Sequence, residues 1–224
     1  MKEIIILGAG KGFFETHELI KAINKEKLQY EIIGILDDDN NKHGEYLEGV
    51  KVLGGLALVE KFRENKDIYF VFAIGSVYTR NIRGEIMKKL NIHPERFVTL
   101  IHPRAEIAST AKIGYGCIIH AGTTILPYAE ISNFVVMVFN SYVGLFSKIG
   151  EYSLITSHVV ILNYVVIEKM SFIGVNASIK DELKIAENSV VGMGSVVTHD
   201  TKIGELVMGN PAKSVGIAEK FLKA

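Results

Sequence analysis

A glycine-rich turn near the N-terminus could bind a phosphorylated ligand. A strand-like run from Glu3 to Leu7 ends in Gly8-Ala9-Gly10-Lys11-Gly12, and a helical pattern begins at Phe13. A helix N-terminus after such a turn offers unpaired N–H groups and the positive end of the helix dipole to a phosphate. The turn reads G-x-G-x-G, and Phe13 occupies the last glycine position of a dinucleotide fingerprint. We therefore interpret Gly10 to Gly12 as a nucleotide-sugar phosphate site rather than an NAD site, with a purely structural turn as the alternative.

Carboxylates and a second glycine loop follow two later strand-like runs. Asp37-Asp38-Asp39 closes the run from Tyr30 to Leu36, and Gly75-Ser76 closes the run from Ile68 to Ile74. In parallel sheets, ligands bind at the carboxyl ends of the strands. We therefore predict that Gly75 and either Asp37 or Asp38 join the site, where a carboxylate could accept hydrogen bonds from a ribose or a uracil edge. The alternative is that the aspartates only form a turn.

The elements that position these residues belong to the first hundred residues. Strand-like runs alternate there with helical patterns, the later two of which span Leu56 to Glu64 and Val77 to Leu90. This alternation predicts a small parallel sheet with helices packed on it.

A six-residue period organises the chain from Ile101 to Met208. The first positions of eighteen consecutive hexads are all aliphatic, and the fifth positions are small or β-branched except at Leu183. A period of six fits neither an α-helix nor an ordinary strand. It predicts short strands joined by tight corners, each turning its first residue into a shared interior. Three strands per turn make six coils, stabilised mainly by contacts between stacked neighbours.

Composition excludes several classes of function. The chain has 25 basic and 25 acidic residues and no basic run, so we expect no nucleic-acid partner. The single cysteine, Cys117, occupies a fifth position, which predicts a packing role. The start Met1-Lys2-Glu3 carries no leader-like apolar segment, and no eighteen-residue window is free of polar groups. We therefore expect a cytoplasmic protein without a membrane anchor.

The order of these parts resembles one bacterial family, the sialic-acid O-acetyltransferases and amino-sugar-nucleotide N-acetyltransferases. The resemblance covers nearly the whole chain. Its landmarks are Gly8 to Gly12, the aspartates after the second strand, Ala73-Ile74-Gly75, Ile101-His102-Pro103, the hexads, and the G-x-P-A-K loop Gly209-Asn210-Pro211-Ala212-Lys213.

The resemblance implies an α/β plus all-β fold in three segments. Residues 1–100 would form a Rossmann-like domain that binds a nucleotide-linked sugar. Residues 101–208 would form a left-handed parallel β-helix of about six coils, and residues 209–224 a coenzyme loop and a short C-terminal helix. The resemblance also implies a homotrimer, acetyl-CoA as co-substrate, and acyl transfer to a sugar amine or hydroxyl in surface-glycan biosynthesis.

The coenzyme positions follow from the same resemblance. Acetyl-CoA would lie along the groove between two prisms, against backbone groups in two coils and under the loop that follows the last hexad. The matching residues are Gly174, Val175, Gly192, Met193, Gly194, Gly209 and Lys213.

Four polar site positions of the family are apolar in this chain. The family's general base is a histidine followed by an acidic residue, and those positions are Leu145 and Phe146. The histidine that touches the thioester end of the coenzyme is replaced by Leu154, and the asparagine presented to the sugar is replaced by Val138. A positioned base typically contributes about 10²–10⁴-fold to such a reaction. Orientation of the two substrates would have to carry more of the rate.

Two sets of histidines could supply chemistry instead. We predict that His158 lies in an outward polar strip with Asn140 and Asn163 and is the candidate catalytic residue; an exposed corner histidine is the alternative. His102 and His120 are eighteen residues apart and would stack. We interpret them as structural and expect no metal site, because no third ligand joins them.

The leading hypothesis is thus a CoA-dependent sugar acyltransferase without the usual histidine base. One alternative is a catalytically impaired homologue that binds sugar nucleotide or CoA in a regulatory role. Another is a purely structural prism.

Overall fold

The computed structural model describes residues 1–79 and 82–221 and shows an α/β domain docked on a three-sided β-prism. The N-terminal elements are β1 (Lys2–Leu7), α1 (Lys11–Glu26), β2 (Tyr30–Leu36), β3 (Tyr46–Leu47), β4 (Val50–Gly54), α2 (Glu60–Arg63), β5 (Ile68–Phe72) and α3 (Arg83–Leu90). Single 3₁₀ turns cover Asn40–Lys42, Leu56–Val59 and Pro94–Arg96.

The N-terminal sheet has the order β3-β4-β2-β1-β5, and every pairing is parallel except the β3–β4 hairpin. Its central strand, β1, is fully buried from Ile4 to Leu7, as expected for a strand covered on both faces. The sheet therefore matches the parallel α/β domain predicted from the sequence. Strands β3 and β4 were not foreseen.

The prism consists of seventeen two-residue strands, each formed by the sixth residue of one hexad and the first of the next. They are β6 to β22: Leu100–Ile101, Glu106–Ile107, Lys112–Ile113, Ile118–Ile119, Thr124–Ile125, Glu130–Ile131, Val136–Met137, Tyr142–Val143, Lys148–Ile149, Leu154–Ile155, Val160–Ile161, Val166–Ile167, Phe172–Ile173, Ser178–Ile179, Lys184–Ile185, Val190–Val191 and Val196–Val197.

Every third strand pairs in parallel with an eighteen-residue offset, which makes three flat faces. The first face begins with β6, the second with β7 and the third with β8. We call the corner between the first and second faces the first edge, that between the second and third faces the second edge, and that between the third and first faces the third edge. The predicted parallel β-helix is confirmed.

The aliphatic first positions and small fifth positions form one continuous core through the prism. Cys117 is fully buried in this core, as predicted, and burial raises the pKa of its thiol to about 12. A thiol of that pKa stays protonated and unreactive at neutral pH.

The six-residue period ends earlier than the sequence indicated. Ile203, the first residue of the eighteenth hexad, is 76% exposed. Strand β23 (Glu205–Gly209) instead pairs Val207 with Val191, an offset of sixteen residues rather than eighteen. Thr201 takes the place that the repeat predicts for Ile203 in the last coil. Its side-chain oxygen accepts a hydrogen bond from the Ala186 N–H at 2.8 Å. The prediction of eighteen unbroken hexads was therefore wrong at the last one.

The segment after the prism is a hairpin before it is a helix. Strand β24 (Ala212–Ile217) runs antiparallel to β23 and is followed by α4 (Ala218–Phe221). The predicted short C-terminal helix is thus present over those four residues, and residues 222–224 lie outside the described part of the chain. The G-x-P-A-K sequence forms the tip of the hairpin.

The α/β domain docks on the third edge and on the first face. Arg83, at the start of α3, is fully buried, and its guanidinium donates to the carbonyl oxygens of Tyr152 at 2.8 Å and Phe134 at 3.0 Å. The rings of Phe134 and Tyr152 stack at 5.3 Å and pack into the core on one side of the sheet. These contacts fix the carboxyl ends of the N-terminal strands over the first face.

Candidate active site

The glycine turn is built as a cradle at the N-terminus of α1. A Cβ on Gly12 would overlap the carbonyl oxygen of Ala73, so only glycine lets α1 approach the end of β5 this closely. A Cβ on Gly10 would meet nothing within 4 Å, and its φ of −89° suits any residue. The fold thus requires Gly12, whereas Gly10 leaves the mouth of the turn open.

The carboxylate of Asp37 is hydrogen-bonded to the backbone of this turn. One carboxylate oxygen accepts a hydrogen bond from the Ala9 N–H at 2.5 Å, and the other accepts one from the Asp39 N–H at 2.9 Å. Lys42 lies 3.8 Å from the same carboxylate. Asp37 therefore fixes the shape of the glycine turn. Its carboxylate already has two backbone donors.

The glycine turn, Asp37 and Gly75 line one cavity of about 420 Å³, together with Lys11, Tyr78 and Thr79. Asp38 does not join them. Its carboxylate accepts the Leu56 N–H at 2.7 Å and faces a separate cavity beside α3. Of the two aspartates that the sequence left open, only Asp37 lies beside the glycine turn.

A second cavity, of about 110 Å³, adjoins the first and borders the prism. The two share the wall formed by Gly12 and residues 73–76. The floor of the second cavity is the first face of the prism, which contributes His120, Val138, Leu154 and Thr156. Gly75 touches this floor, because a Cβ there would lie 3.3 Å from the Leu154 side chain.

His120 is the site residue that sequence reasoning missed. It was interpreted as structural, yet its ring forms part of the cavity wall beneath the glycine turn. The available signal was its eighteen-residue offset from Val138, the position that the family resemblance assigns to a sugar-binding asparagine. The docking of the α/β domain over this row could not be read from that spacing.

The predicted coenzyme residues lie on the upper coils. Gly174 and Gly192 belong to the same row of the first face as Val138 and Thr156. A Cβ on Gly174 would lie 2.6 Å from the Met193 nitrogen, and a Cβ on Gly192 would lie 2.8 Å from the Met208 side chain. The space that a side chain would need at each glycine is therefore already occupied, at Gly174 by the backbone of the next coil and at Gly192 by Met208.

The adjoining first edge offers hydrogen-bond donors. Val175 is 40% exposed and Met193 is 80% exposed, and the N–H of neither has a partner among the described residues. In contrast, the N–H of Gly194 donates to the Val175 carbonyl at 2.7 Å. The hairpin tip lies next to this edge, because the Gly209 N–H donates to the Ser195 hydroxyl oxygen at 3.2 Å. Lys213 is exposed on the second strand of the hairpin, opposite Met208.

His158 lies exposed on the first edge, one coil before Asn176 and one after Asn140. Asn163 lies on the second edge instead, where it accepts the Leu145 N–H at 2.9 Å and donates to Asp181 at 3.0 Å. The predicted polar strip of Asn140, His158 and Asn163 is therefore wrong, because five residues carry the chain around to the next corner of the prism.

The second edge carries aromatic rings around Leu145 and Phe146, the two positions that the family resemblance assigns to a base and an acid. Tyr128, Phe146 and Tyr164 stack with centroid separations of 4.9 and 5.2 Å and interplanar angles of 6° and 7°. All three are 42–54% exposed. Leu145 beside them carries no titratable group. This edge therefore supplies no proton acceptor from its central coil.

Within residues 1–79 and 82–221 there is neither a membrane-spanning helix nor a metal-binding cluster. None of the helices there is long and apolar enough to cross a membrane. No group of three or more His, Cys, Asp and Glu side chains within that part of the chain is arranged to hold a metal ion.

Two family models match the chain. Residues 3–90 match the PglD N-terminal domain, and residues 164–199 match the hexapeptide repeat of succinyl-transferase. The matches fall on the α/β domain and on the upper coils of the prism.

Two curated relatives are sugar-nucleotide N-acetyltransferases. The UDP-N-acetylbacillosamine N-acetyltransferase of Bacillus subtilis (strain 168) is 31% identical over 123 residues, which cover 54% of this chain and 52% of that protein. This alignment thus spans about half the length of the relative. The GDP-perosamine N-acetyltransferase of Escherichia coli O157:H7 is 29% identical over 215 residues, 94% of this chain and 95% of that protein.

A solved structure shows the same fold. PerB from Caulobacter crescentus, in complex with CoA and GDP-perosamine, superposes with a TM-score of 0.83 at 24% identity, covering 96% of this chain and 98% of that chain. The two-part architecture is therefore shared over nearly the whole length.

Proposed function

We propose that this chain, which belongs to the family of hexapeptide-repeat sugar-nucleotide acetyltransferases, transfers an acetyl group from acetyl-CoA to a nucleotide-linked sugar. The acceptor atom is an amine or a hydroxyl of the sugar. An amine is favoured, because both curated relatives carry N-acetyltransferase names.

The observation that carries this proposal is the wall shared by the two cavities. A diphosphate at the N-terminus of α1 would lie in the larger cavity, against Gly10, Lys11 and Gly12. The attached sugar would then extend past Gly75 into the smaller cavity on the first face. A two-part ligand of this kind fits two adjoining cavities better than a free sugar or a free nucleotide does.

The coenzyme would reach the same cavity from the opposite direction. Its nucleotide end would lie near Lys213 and Gly209 at the hairpin tip, where Lys213 supplies positive charge. Its pantetheine arm would follow the first edge, where the free N–H groups of Met193 and Val175 can donate to its amide carbonyls. The thioester would then arrive at Thr156, which lines the sugar cavity.

The chain would act as a homotrimer in the cytoplasm, where acetyl-CoA and sugar nucleotides are available. A single prism exposes its second edge and the rings on it, and assembly of three prisms would create the grooves that hold the coenzyme. The product would serve surface-glycan biosynthesis.

Calorimetry with acetyl-CoA and with UDP-, dTDP- and GDP-linked amino sugars tests the proposal, followed by mass spectrometry of the acetylated product. We expect micromolar binding of acetyl-CoA and of one sugar nucleotide, and acetylation of the latter. If neither ligand binds, the proposal is wrong. Binding of both without product would favour the impaired homologue.

Gly10→Val provides a sharper test of the nucleotide site. The added side chain enters open space at the mouth of the glycine turn, so we expect at least a tenfold loss of sugar-nucleotide affinity with little change in melting temperature. Gly84→Ala in α3 is the control, because its Cβ would make only an ordinary 3.6 Å contact with Tyr152 on the third edge of the prism. Unchanged affinity in Gly10→Val would place the nucleotide elsewhere.

A further inference from the structure

His120 combines burial with an unused imidazole. The residue is only 2% exposed, and its ring packs against Phe139 with centroids 4.8 Å apart. Within residues 1–79 and 82–221, neither ring nitrogen has a hydrogen-bond partner. Neither ring nitrogen is among the fully buried polar atoms without a partner in that part of the chain, so the imidazole keeps access to the cavity below the glycine turn that it lines. A ligand in that cavity can therefore form a hydrogen bond with the ring.

The position of His120 on the prism matters as much as its burial. It is one coil below Val138 in a single row of the first face that continues through Thr156, Gly174 and Gly192. Neighbouring strands lie about 4.8 Å apart, so the imidazole is roughly one coil spacing from the Val138 position. The family's polar groups at positions 138 and 154 have become Val138 and Leu154, and these two apolar side chains line the same cavity as His120.

We propose that His120 is the proton acceptor of the acyl transfer, so that this chain has moved its base from the second edge to the first face. This rests on the proposed function. The acceptor nitrogen attacks the thioester carbon, the new N–C bond forms and the C–S bond breaks. The proton lost by the nitrogen passes to the free ring nitrogen of His120 and then to the sulfur of the departing coenzyme. The products are the N-acetylated sugar nucleotide and CoA with a protonated thiol.

Burial keeps this imidazole neutral in the resting protein, which leaves a ring nitrogen able to accept a proton but makes it a weaker base than an exposed histidine. Burial, together with the nearby His102, lowers the pKa of His120 to about 4, so the ring is neutral at pH 7. The titratable groups facing it are His102 on the preceding coil and Glu15 of α1 across the cavity, and Arg104 follows His102 at the first edge. The negative charge that develops on the thioester oxygen and sulfur favours the imidazolium during the reaction.

His120→Ala and His120→Gln test the role. The first variant opens a space the size of an imidazole, and the second keeps the volume and a hydrogen-bond acceptor but cannot take a proton. We expect kcat/KM for the sugar nucleotide to fall about 10²–10⁴-fold in both. Adding free imidazole should raise the kcat/KM of His120→Ala at least tenfold and should not change the kcat/KM of His120→Gln. His93→Asn, the same loss of a ring on the exposed surface of the α/β domain, should behave as the wild type.

The controls separate this proposal from the proposed function. Wild-type protein that binds neither acetyl-CoA nor a sugar nucleotide would overturn both. An active wild type whose His120→Gln variant stays within threefold, with no imidazole rescue of His120→Ala, would overturn only the role of His120. Wild-type protein that binds both substrates without turnover would also overturn the role of His120, because there would then be no acyl transfer for it to assist.

Discussion

Two edges of the prism carry stacked aromatic rings in nearly identical local structure, yet only one is covered. On the third edge, Phe134 stacks on Tyr152 at 5.3 Å and is 2% exposed. On the second edge, Phe146 stacks between Tyr128 and Tyr164 and is 42% exposed. The backbone φ angles of Phe134 and Phe146 are 59° and 58°. The repeat therefore sets the corner conformation, and the docked α/β domain buries the rings of the third edge.

Comparing the two edges separates the contribution of ring stacking from the contribution of hydrophobic burial. Stacked rings at a corner contribute a modest pairwise term, and they occupy a left-handed backbone conformation that disfavours non-glycine residues. Burial under Phe97 and Phe72 adds a much larger hydrophobic contribution at the third edge. Substitutions at the two edges should therefore have very different effects on stability.

The largest effect is expected for Phe134→Ala. The change removes a fully packed ring between two other phenylalanines and leaves a cavity, which typically costs about 3–5 kcal/mol. Chemical denaturation followed by circular dichroism should show a large decrease in the midpoint. A decrease no larger than that of an exposed substitution would mean that the α/β domain does not dock on the third edge.

The second prediction concerns how the stability of the protein depends on the ionisation of His120 in acid. The pKa of His120 is lowered to about 4 by burial, against about 6.5 in an unfolded chain. The unfolded state thus binds more protons between those values. The contribution of neutral His120 to the free energy of unfolding is therefore complete above about pH 6.5 and is lost as the pH falls to about 4. The loss amounts to about 3 kcal/mol, since each pKa unit corresponds to about 1.4 kcal/mol.

The measurement is the free energy of unfolding at several pH values between 7 and 4. The wild type should lose more stability over this range than His120→Gln, and the difference should approach the value above. His158→Gln is the matched change at an exposed corner and should follow the wild-type curve. Parallel curves for the wild type and His120→Gln would show that the cavity is wetter than the structure indicates.

The third prediction concerns the residue that fastens the covered edge. Arg83→Met removes two charge-assisted hydrogen bonds to the carbonyl oxygens of Phe134 and Tyr152. Such bonds contribute about 1.5–3 kcal/mol each, but the variant also avoids the desolvation of a buried guanidinium, which lowers the pKa of Arg83 to about 10. We expect a net loss of roughly 2 kcal/mol. An increase in melting temperature would show that desolvation outweighs the two hydrogen bonds.

The sequence predicted the prism well because its repeat is local. Seventeen consecutive first positions mark the strands, and each strand needs only its neighbours eighteen residues away. Ile203 escaped the pattern because two missing residues in the last coil shift the register, and an aliphatic residue in a repeat position does not reveal that shift. Strand β4 was missed because Val50–Gly54 is short and contains a lysine and a glycine.

The site was harder to predict because it depends on contacts between distant segments. The glycine turn, Asp37 and Gly75 could be assembled from the rule that ligands bind at the carboxyl ends of parallel strands. His120 could not, because its burial depends on how the α/β domain docks. Asn163 was misplaced for a simpler reason: each hexad turns the chain to the next face, so a residue five positions after His158 lies on another edge.

The smallest effect is expected at the uncovered edge. Phe146→Gly loses two ring contacts, worth about 0.5–1.5 kcal/mol, but it relieves a left-handed backbone conformation that costs about 1–2 kcal/mol for a residue with a side chain. The two contributions nearly cancel, so the melting temperature at low protein concentration should change by less than about 3 °C. Phe134→Gly gains the same backbone relief and should still be strongly destabilised, because its ring is buried. If Phe146→Gly instead melts many degrees lower, and the difference grows with protein concentration, then the ring is buried against another copy in the folded protein.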